Sequence, residues 1–356
     1  MTSTVRHHGS FAPGYLESMR VSQDMLSAVR SVGEAKGRQD LYTRQAPGVL
    51  ETLRSVAQVQ SIESSNRIEG VTAPPERLKA LVEQKATPVD RSEREIAGYR
   101  DVLAMIHANS GTIRLTPGVV LQFHRDLFAY LPGGGGAWKA TNNDIVDKFS
   151  DGSTRLRFKP VSAHQVQGAM DELQHGFTDA LGAGRADPLV LVGAYVLDFL
   201  CIHPFRDGNG RIARLLTLLL LYQAGYEVGR YVSLERVIES SRDTYYESLE
   251  RSSQGWHESG HDLRPWLDYF VGVLLAAYRE LESRVGTITQ ARGYKRQMVI
   301  DCVMRLPEEF RVTDVERVCP GIPRPTINRV LGELRDAGRL ESTGRGRDAR
   351  WRQTGK

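Results

Sequence analysis

Twelve consecutive residues, His203 to Arg214 (HPFRDGNGRIAR), carry side chains that suit a phosphate-handling site. His203 is near-neutral at physiological pH and can act as a general base. Asp207 can hold Mg²⁺ through one carboxylate, with substrate phosphate oxygens completing the ligand set. Arg211 and Arg214 lie one helical turn apart and can bind further phosphate oxygens. This stretch, called the motif below, predicts a site for a phosphate-bearing substrate.

The backbone of the motif supports the same prediction. Gly208 and Gly210 let the chain approach an anion without an intervening side chain. A helix that begins at about Gly210 would present free N–H groups and the positive end of its dipole. Each feature has an ordinary explanation by itself, because turns of the DGNG type are common and spaced arginines often form salt bridges. Their joint occurrence favours the phosphate site.

Two apolar helices are predicted to position the motif. Residues 188–202 are apolar on most sides, which predicts a buried central helix, and residues 212–224 form a second one that ends at Gly225. Pro204 and the glycines force a tight loop between them, and Phe205 is expected to anchor that loop in the core.

Helical patterns also dominate the chain before the motif. Residues 1–12 carry little pattern and are expected to form a loose arm. Further helices are predicted at 75–84, 91–109 and 117–130, the second capped by Asp90 or Ser92 and the third by Thr116. A β-hairpin is predicted around Asp151-Gly152. The predicted fold class is mainly α.

Composition excludes several classes of protein. The chain has 356 residues, enough for two or three domains, with 40% hydrophobic and 25% charged residues, as in soluble globular proteins. Its three cysteines form no CxxC pair, which argues against a zinc site or a disulfide framework. No signal peptide is recognisable, and the longest apolar run, Leu215–Tyr222, is too short to span a bilayer. A cytoplasmic protein without a membrane partner is expected.

The C-terminal segment differs from the rest of the chain. Residues 290–356 contain fifteen Lys/Arg and nine Asp/Glu, whereas the whole chain carries a net charge of +4. Three short helices followed by a basic hairpin predict a winged helix-turn-helix that contacts DNA. Protein contact or dimerisation is the alternative for such a module. The predicted DNA contacts are Arg324, Thr326, Asn328, Arg329, Arg345 and Arg347.

The motif resembles that of the Fic family, because it matches the pattern HxFx[D/E]GNGRxxR at every position. The resemblance implies a Fic-type helical core with a short β-hairpin flap at residues 111–285. An N-terminal helical region at 1–110 and a winged helix domain at 290–356 complete the expected organisation. Family members typically transfer AMP from ATP to a hydroxyl of a target protein, and dimers are frequent among them.

The resemblance also assigns roles to individual residues. His203 would deprotonate the target hydroxyl, and Asp207 would hold Mg²⁺ on the α- and β-phosphates. Arg211 would bind the phosphates and Arg214 the γ-phosphate. The remaining roles are the anion hole (Gly208, Asn209, Gly210), the target-docking flap (Phe158, Lys159, Pro160) and, by position only, the adenine pocket (Glu239, Tyr245).

Only this resemblance assigns a function to Ser65, Glu69 and Gly70. On spacing alone they indicate an ordinary helix end with a solvated glutamate. They match the family's inhibitory motif, S/T-xxx-E-G/N, on a helix expected at about residues 58–70. The implied glutamate partner is Arg214, and the pair would withdraw the γ-phosphate ligand from ATP.

The resemblance therefore implies a protein adenylyltransferase that uses ATP and Mg²⁺, acts on a Ser, Thr or Tyr hydroxyl of a target protein or of itself, and is autoinhibited by Glu69. Three alternatives stay open at this point. The protein could remove AMP, could transfer another nucleotide or phosphate group, or could be a DNA-binding regulator whose core senses a nucleotide.

Overall fold

A computed structural model of the chain describes residues 9–45, 47–148, 152–290, 294–319, 322–343 and 350–354. The fold is mainly α-helical, as predicted. The helices are α1 Tyr15–Ser18, α2 Gln23–Gln45, α3 Pro47–Ile68, α4 Pro75–Val82, α5 Arg91–Asn109, α6 Pro117–Leu127, α7 Val166–Gly182, α8 Pro188–Ile202, α9 Asn209–Gln223, α10 Leu234–Ser240, α11 Arg242–Ser253, α12 Arg264–Gln290, α13 Tyr294–Arg305, α14 Val312–Val318 and α15 Arg324–Asp336. The strands are β1 Ile145–Lys148, β2 Thr154–Phe158, β3 Glu309–Arg311, β4 Leu340–Thr343 and β5 Arg350–Gln353.

The described residues form two compact units. The larger unit, called the core unit below, comprises those within Met1–Lys36 and Ser55–Tyr278. The smaller, C-terminal unit comprises those within Gly37–Arg54 and Arg279–Lys356. No helix among the described residues is long and apolar enough to cross a membrane.

The core unit is built around α8, which is buried along nearly its whole length. This helix packs on α7 and α9, and α9 also packs on α5. Predicted caps are confirmed at two neighbouring helices. Asp90 accepts a hydrogen bond from Glu93 N (2.8 Å), and Thr116 accepts one from Val119 N (3.2 Å). These caps fix where α5 and α6 begin.

The predicted hairpin is formed by β1 and β2, which pair antiparallel with Val146 opposite Leu156 and Ile145 opposite Phe158. Both Val146 and Leu156 are exposed, so this hairpin presents an apolar cross-strand pair to solvent.

The expectation of a loose arm over residues 1–12 is wrong for its described end. Residues 9–11 form a buried 3₁₀ turn. The Ser10 N–H donates to Oδ2 of the buried Asp198 (2.8 Å), the Ser10 hydroxyl lies 2.8 Å from Asp198 Oδ1, and Phe11 packs edge-on against Phe177. A long-range hydrogen bond to an interior carboxyl group has no local sequence pattern, which is why the prediction failed.

In the C-terminal unit, three helices are followed by two strands, and the three-stranded antiparallel sheet has the order β3-β5-β4. Its core contains Val299, Val303, Phe310, Ile327, Val330, Leu331 and Trp351. In α15, Asn328 and Arg329 are exposed while Ile327 and Val330 are buried, which is the pattern of an amphipathic helix. The predicted contacts Arg345 and Arg347 lie outside the described residues.

Candidate active site

His203 terminates α8 in the left-handed region, with φ 51° and ψ 60°. A non-glycine residue in this conformation is strained and persists only where its surroundings hold it. Its N–H donates to Phe199 O (2.9 Å), and the chain then turns at Pro204 into Phe205, which is fully buried as expected. The turn moves the imidazole off the helix axis and leaves it beside the start of α9.

The imidazole of His203 has one nitrogen engaged. Its Nδ1 lies 3.3 Å from Leu200 O, an acceptor, so Nδ1 carries the proton and Nε2 keeps its lone pair. The pKa of His203 is lowered to about 4: burial lowers it most and the Lys139 ammonium adds to this, whereas the hydrogen bond to Leu200 O and the charges of Glu69 and Asp207 raise it. The ring is therefore neutral at pH 7, in the tautomer that a general base needs.

Helix α9 begins at Asn209, directly after Gly208, whose φ of 82° favours glycine. The Asn209 side chain is occupied by the loop itself: its Oδ1 accepts from Phe205 N (2.9 Å) and its Nδ2 donates to Phe205 O (2.8 Å). A Cβ on Gly210 would collide with Glu69 Oε1. The first turn of α9 thus presents backbone rather than side chain to the Glu69 carboxylate, and the free N–H groups of a helix N-terminus are suited to an anion.

Arg214 is buried and already holds three acceptors. Its Nε donates to Ser65 Oγ, and its Nη2 donates to Ser65 O and to Glu69 Oε1, each at 2.8 Å. Its Nη1 is buried with no hydrogen-bond partner among the described residues, and it lies 3.3 Å from where a Cβ on Gly210 would be. One donor of this guanidinium therefore points at the anion site and is free to bind an oxygen.

Glu69 closes this site from the end of α3. Gly70, with φ 78°, ends the helix, and Ser65 and Glu69 share the face that meets Arg214. Burial raises the pKa of the Glu69 carboxyl, but Arg214, followed by Arg211 and His203, outweighs burial and the net pKa is lowered. Glu69 is thus ionised at pH 7, although its side chain is still 30% exposed.

Arg211 forms a buried ion pair with Glu95 of α5. Its Nη2 also lies 3.5 Å from Asp207 Oδ1, and its buried Nε has no partner among the described residues. Arg91 donates to Glu95 (2.8 Å) and lies 3.5 Å from Asp207 Oδ2. Two arginines thus flank the Asp207 carboxylate, whose side chain is 56% exposed.

A lone exposed carboxylate fits Mg²⁺ only if other oxygens contribute. Among the described residues, no group of three or more His, Cys, Asp or Glu side chains could hold a metal ion. Mg²⁺ commonly binds through one carboxylate, water and substrate phosphates. Asp207 fits that role beside Arg211, whose buried Nε has no partner among the described residues and is suited to the same phosphates.

A cavity of about 400 Å³ lies beside His203, Glu69 and Gly210. Glu69, His203, Gly210 and Tyr245 line it, together with Ile145, Val146 and Phe158 of the hairpin and Tyr246, Leu249 and Glu250 of α11. Of the two predicted adenine-pocket residues, Tyr245 lines this cavity. Glu239 is not among its lining residues; its carboxylate accepts a hydrogen bond from Arg67 (3.1 Å).

The other two predicted flap residues do not line this cavity. Lys159 and Pro160 line a separate cavity of about 450 Å³ in the core unit. The backbone oxygen of Lys159 is held by His257 Nε2 (2.8 Å), whose ring stacks on Phe158. Only Phe158 of the three lines the cavity that contains His203.

Residues 114–221 match the family model described as Fic/DOC family. The chain contains a Fic/DOC family domain. This domain includes the whole motif, α6, the hairpin, α7 and α8.

The similarity to named relatives extends beyond the residues that match the Fic/DOC family model. The chain is 26% identical over 265 residues to the protein adenylyltransferase Fic of Drosophila sechellia, covering 71% of this chain and 45% of that protein. It is 25% identical over 265 residues to the protein of the same name from Nematostella vectensis, covering 70% and 54%. The chain thus spans about half the length of the curated relatives it matches.

Solved structures show the same fold. A Fic family protein from Desulfovibrio desulfuricans G20 superposes with a TM-score of 0.61 at 24% identity, covering 95% of this chain and 98% of that one. Fic-1 from C. elegans superposes with a TM-score of 0.58 at 21% identity, covering 74% and 73%. The core of this chain therefore has the Fic fold.

Three residues around the Fic/DOC motif have no counterpart in the sequence-based prediction: Glu95, His124 and Lys139. Lys139 is buried, and its Nζ donates to Asn143 Oδ1 (2.9 Å) and Ile202 O (3.4 Å). Burial lowers the pKa of Lys139 to about 8. Each of the three lies far from the motif in sequence, on another helix or loop, so no local spacing identifies it.

Proposed function

We propose that this protein transfers AMP from ATP to a hydroxyl side chain of a target protein, and that Glu69 holds it inactive at rest. The proposal rests on the hydrogen-bond contacts of Arg214. Its Nη2 donates to Ser65 and Glu69, while its Nη1, which has no hydrogen-bond partner in the described part of the chain, lies beside Gly210 at the start of α9. A cation at a helix N-terminus beside a neutral imidazole suits a polyphosphate substrate. The names of the relatives point to the same activity.

In the proposed reaction, each of these residues has a separate role. His203 Nε2 accepts the proton of the target hydroxyl, whose oxygen forms a bond to the α-phosphorus as the bond from that phosphorus to the bridging oxygen breaks and pyrophosphate leaves. The first N–H groups of α9 stabilise charge on the α-phosphate. Asp207 would hold Mg²⁺, which when bound neutralises phosphate charge. The negative phosphates also raise the pKa of His203 from its resting value, which strengthens the base.

Glu69 inhibits by occupying the place of the substrate. Its carboxylate lies where a Cβ of Gly210 would be and binds the guanidinium that ATP needs. A fixed negative charge there repels the γ-phosphate, because like charges at such distances interact strongly when partly shielded from water. ATP then either binds with its phosphates outside the reactive position or does not bind.

Intact-mass spectrometry of the protein incubated with ATP and Mg²⁺ tests this proposal. The Glu69→Gly variant should gain the mass of AMP on itself or on an added target, and Glu69→Gly/His203→Ala should gain none. A gain that persists without His203 would contradict the assignment of the base. An adduct with the mass of a phosphoryl or another group would show that this group, and not AMP, is transferred. Loss of AMP from an AMP-labelled target would indicate that the protein removes AMP.

For the C-terminal unit we propose a winged helix-turn-helix that binds DNA through α15. The helix order and the sheet order β3-β5-β4 support this assignment. Arg324 and Arg329 are half exposed or more on α15, although each contacts a glutamate of its own unit. In gel shifts at rising salt, Arg329→Glu should weaken binding, whereas Arg335→Glu, at the other end of α15, should weaken it less. Absence of binding at low salt would favour a protein-contact module.

A further inference from the structure

His124 of α6 lies against the motif without belonging to it. Its ring stacks on that of Phe205, with centroids 3.8 Å apart and planes 1° from parallel. Phe128 packs against its edge at 4.9 Å, and the side chain is buried. Phe205 is only two residues from His203. The stack therefore fixes the middle of the turn that carries the proposed base.

The hydrogen bonds of His124 determine which nitrogen carries its proton. The N–H of Gly136 donates to Nδ1 (2.8 Å), so Nδ1 is an acceptor. Nε2 must then bear the hydrogen, and it donates to the backbone oxygen of Asp207 (3.2 Å). Glycine at 135 permits this arrangement, because a Cβ there would collide with the His124 carbonyl oxygen. Because Nδ1 accepts a hydrogen bond, the ring carries a single proton.

The peptide between Asp207 and Gly208 is consequently held at both ends. Its carbonyl accepts from His124, and its N–H donates to Asp207 Oδ1 (2.6 Å). The rotation of this peptide sets where the Asp207 carboxylate lies and how the N–H groups of α9 are presented. Small errors in such a position are costly, since a displacement of about 1 Å can reduce a rate about 100-fold.

We propose that His124 is a positioning residue for nucleotide transfer: its Nε2–H holds the Asp207–Gly208 peptide, and with it the proposed Mg²⁺ ligand and anion hole, in the reactive arrangement. This inference rests on the proposed function of the motif. His124 is not among the described residues that line the cavity containing His203. It acts through the backbone of Asp207, and the Gly136 N–H selects the tautomer that makes this possible.

Two amide substitutions of similar size separate positioning from packing. Glutamine places its amide near the position of Nε2 and can still donate to Asp207 O. Asparagine places its amide near Nδ1 and can accept only from Gly136 N. Both lose the stack on Phe205, so a purely structural role predicts similar losses for both. Positioning predicts that His124→Gln keeps the function and that His124→Asn does not.

The measurement is the rate of AMP transfer by both variants in the Glu69→Gly background. His124→Asn should lower kcat/KM for ATP about 10- to 100-fold, partly through a higher KM, and His124→Gln should stay within about fivefold of its parent. Equal rates for the two variants would overturn the proposal. Melting curves of both variants check that each is folded.

Two further readouts keep the inference separate from the proposed activity. If Glu69→Gly itself transfers nothing, the proposed function fails, and His124 is judged by calorimetry with Mg²⁺–ATP and by ¹⁵N NMR of its imidazole. Weaker binding in His124→Asn than in His124→Gln, with the wild-type proton on Nε2, supports positioning. Equal binding, or a proton on Nδ1, refutes it.

Discussion

Replacing Glu69 by glutamine should separate the charge of the inhibitory contact from its hydrogen bond. In the resting structure Glu69 Oε1 accepts from Arg214 Nη2 at 2.8 Å. Glutamine keeps an acceptor oxygen at nearly the same place but carries no charge. Glu69→Gly removes both. The series from wild type through Gln to Gly therefore divides the inhibition into two measurable parts.

The size of the charge effect follows from the contact. Two unit charges about 4 Å apart interact by about 4 kcal/mol at an effective dielectric constant of about 20. Because the Glu69 side chain is 30% exposed, solvent screening reduces this value, and we expect about 2–3 kcal/mol. At about 1.4 kcal/mol per tenfold change, Glu69→Gln should raise the initial rate about 30- to 150-fold. A remaining neutral hydrogen bond of about 1 kcal/mol leaves a further increase of about fivefold for Glu69→Gly.

The assay is the initial rate of AMP incorporation with Mg²⁺–ATP at constant ionic strength. Glu63→Gln is the matched control, because Glu63 lies on the same helix and pairs with Arg67 rather than with Arg214. It should leave the rate unchanged. If Glu69→Gln behaves like wild type while Glu69→Gly is active, charge does not hold the protein inactive. An equal rise in Glu63→Gln would trace the effect to helix stability instead.

Two further predictions concern the surroundings of the motif. Lys139→Met removes the ammonium that helps to lower the pKa of His203, so in the Glu69→Gly background the acid limb of the pH–rate profile should move to higher pH; an unmoved limb would refute this electrostatic link. Gly98→Ala should cost about 1–3 kcal/mol of unfolding free energy in urea, because its Cβ would collide with the Leu127 carbonyl oxygen where α5 crosses α6. Gly168→Ala is the control, since no atom of the described residues, its own helix backbone and chain neighbours aside, lies within 4 Å of its Cβ site; it should be neutral or stabilising by about 0.5–1 kcal/mol, and equal losses in both would exclude the collision as the cause.

The motif was predictable because its functional atoms are contiguous. His203, Asp207 and the start of α9 follow one another within a single turn, so residue type and spacing alone indicate a phosphate site. Helix ends at Asp90 and Thr116 were predictable for the same reason, since a cap is made by a residue three positions away. Local chemistry is visible in a sequence.

The support of the motif is not local. His124 reaches Asp207 across 83 positions, and Arg211 reaches Glu95 across 116. Nothing in the neighbourhood of a lone helical histidine or glutamate distinguishes it from a residue with no such contact. The glycine-rich stretch shows the same limit, because Gly135 is required by the close approach of α6 and not by a turn type. Only the fold brings these partners together.

Acidification should destabilise the core unit through its buried histidines. Burial lowers the pKa of His124, His203 and His261 to about 4 each, whereas it raises that of Asp198 to about 7. Between pH 5 and 6 the folded state keeps the three rings neutral and the Asp198 carboxyl protonated. The unfolded chain protonates the rings and ionises the carboxyl. Unfolding therefore takes up about three protons and releases about one.

The sign and size of the effect follow from this balance. A histidine with a lowered pKa contributes stability that is present above about pH 6.5 and is lost as the pH falls towards 4, and Asp198 opposes it. A net uptake of about two protons gives a slope of about 2.7 kcal/mol per pH unit, measurable by urea unfolding at pH 5.0, 5.5 and 6.0. Asp198→Asn removes the opposing group and should steepen the slope to about three protons, even if the variant is less stable overall. A slope that is flat, or unchanged in Asp198→Asn, would mean that these groups titrate alike in the folded and unfolded states.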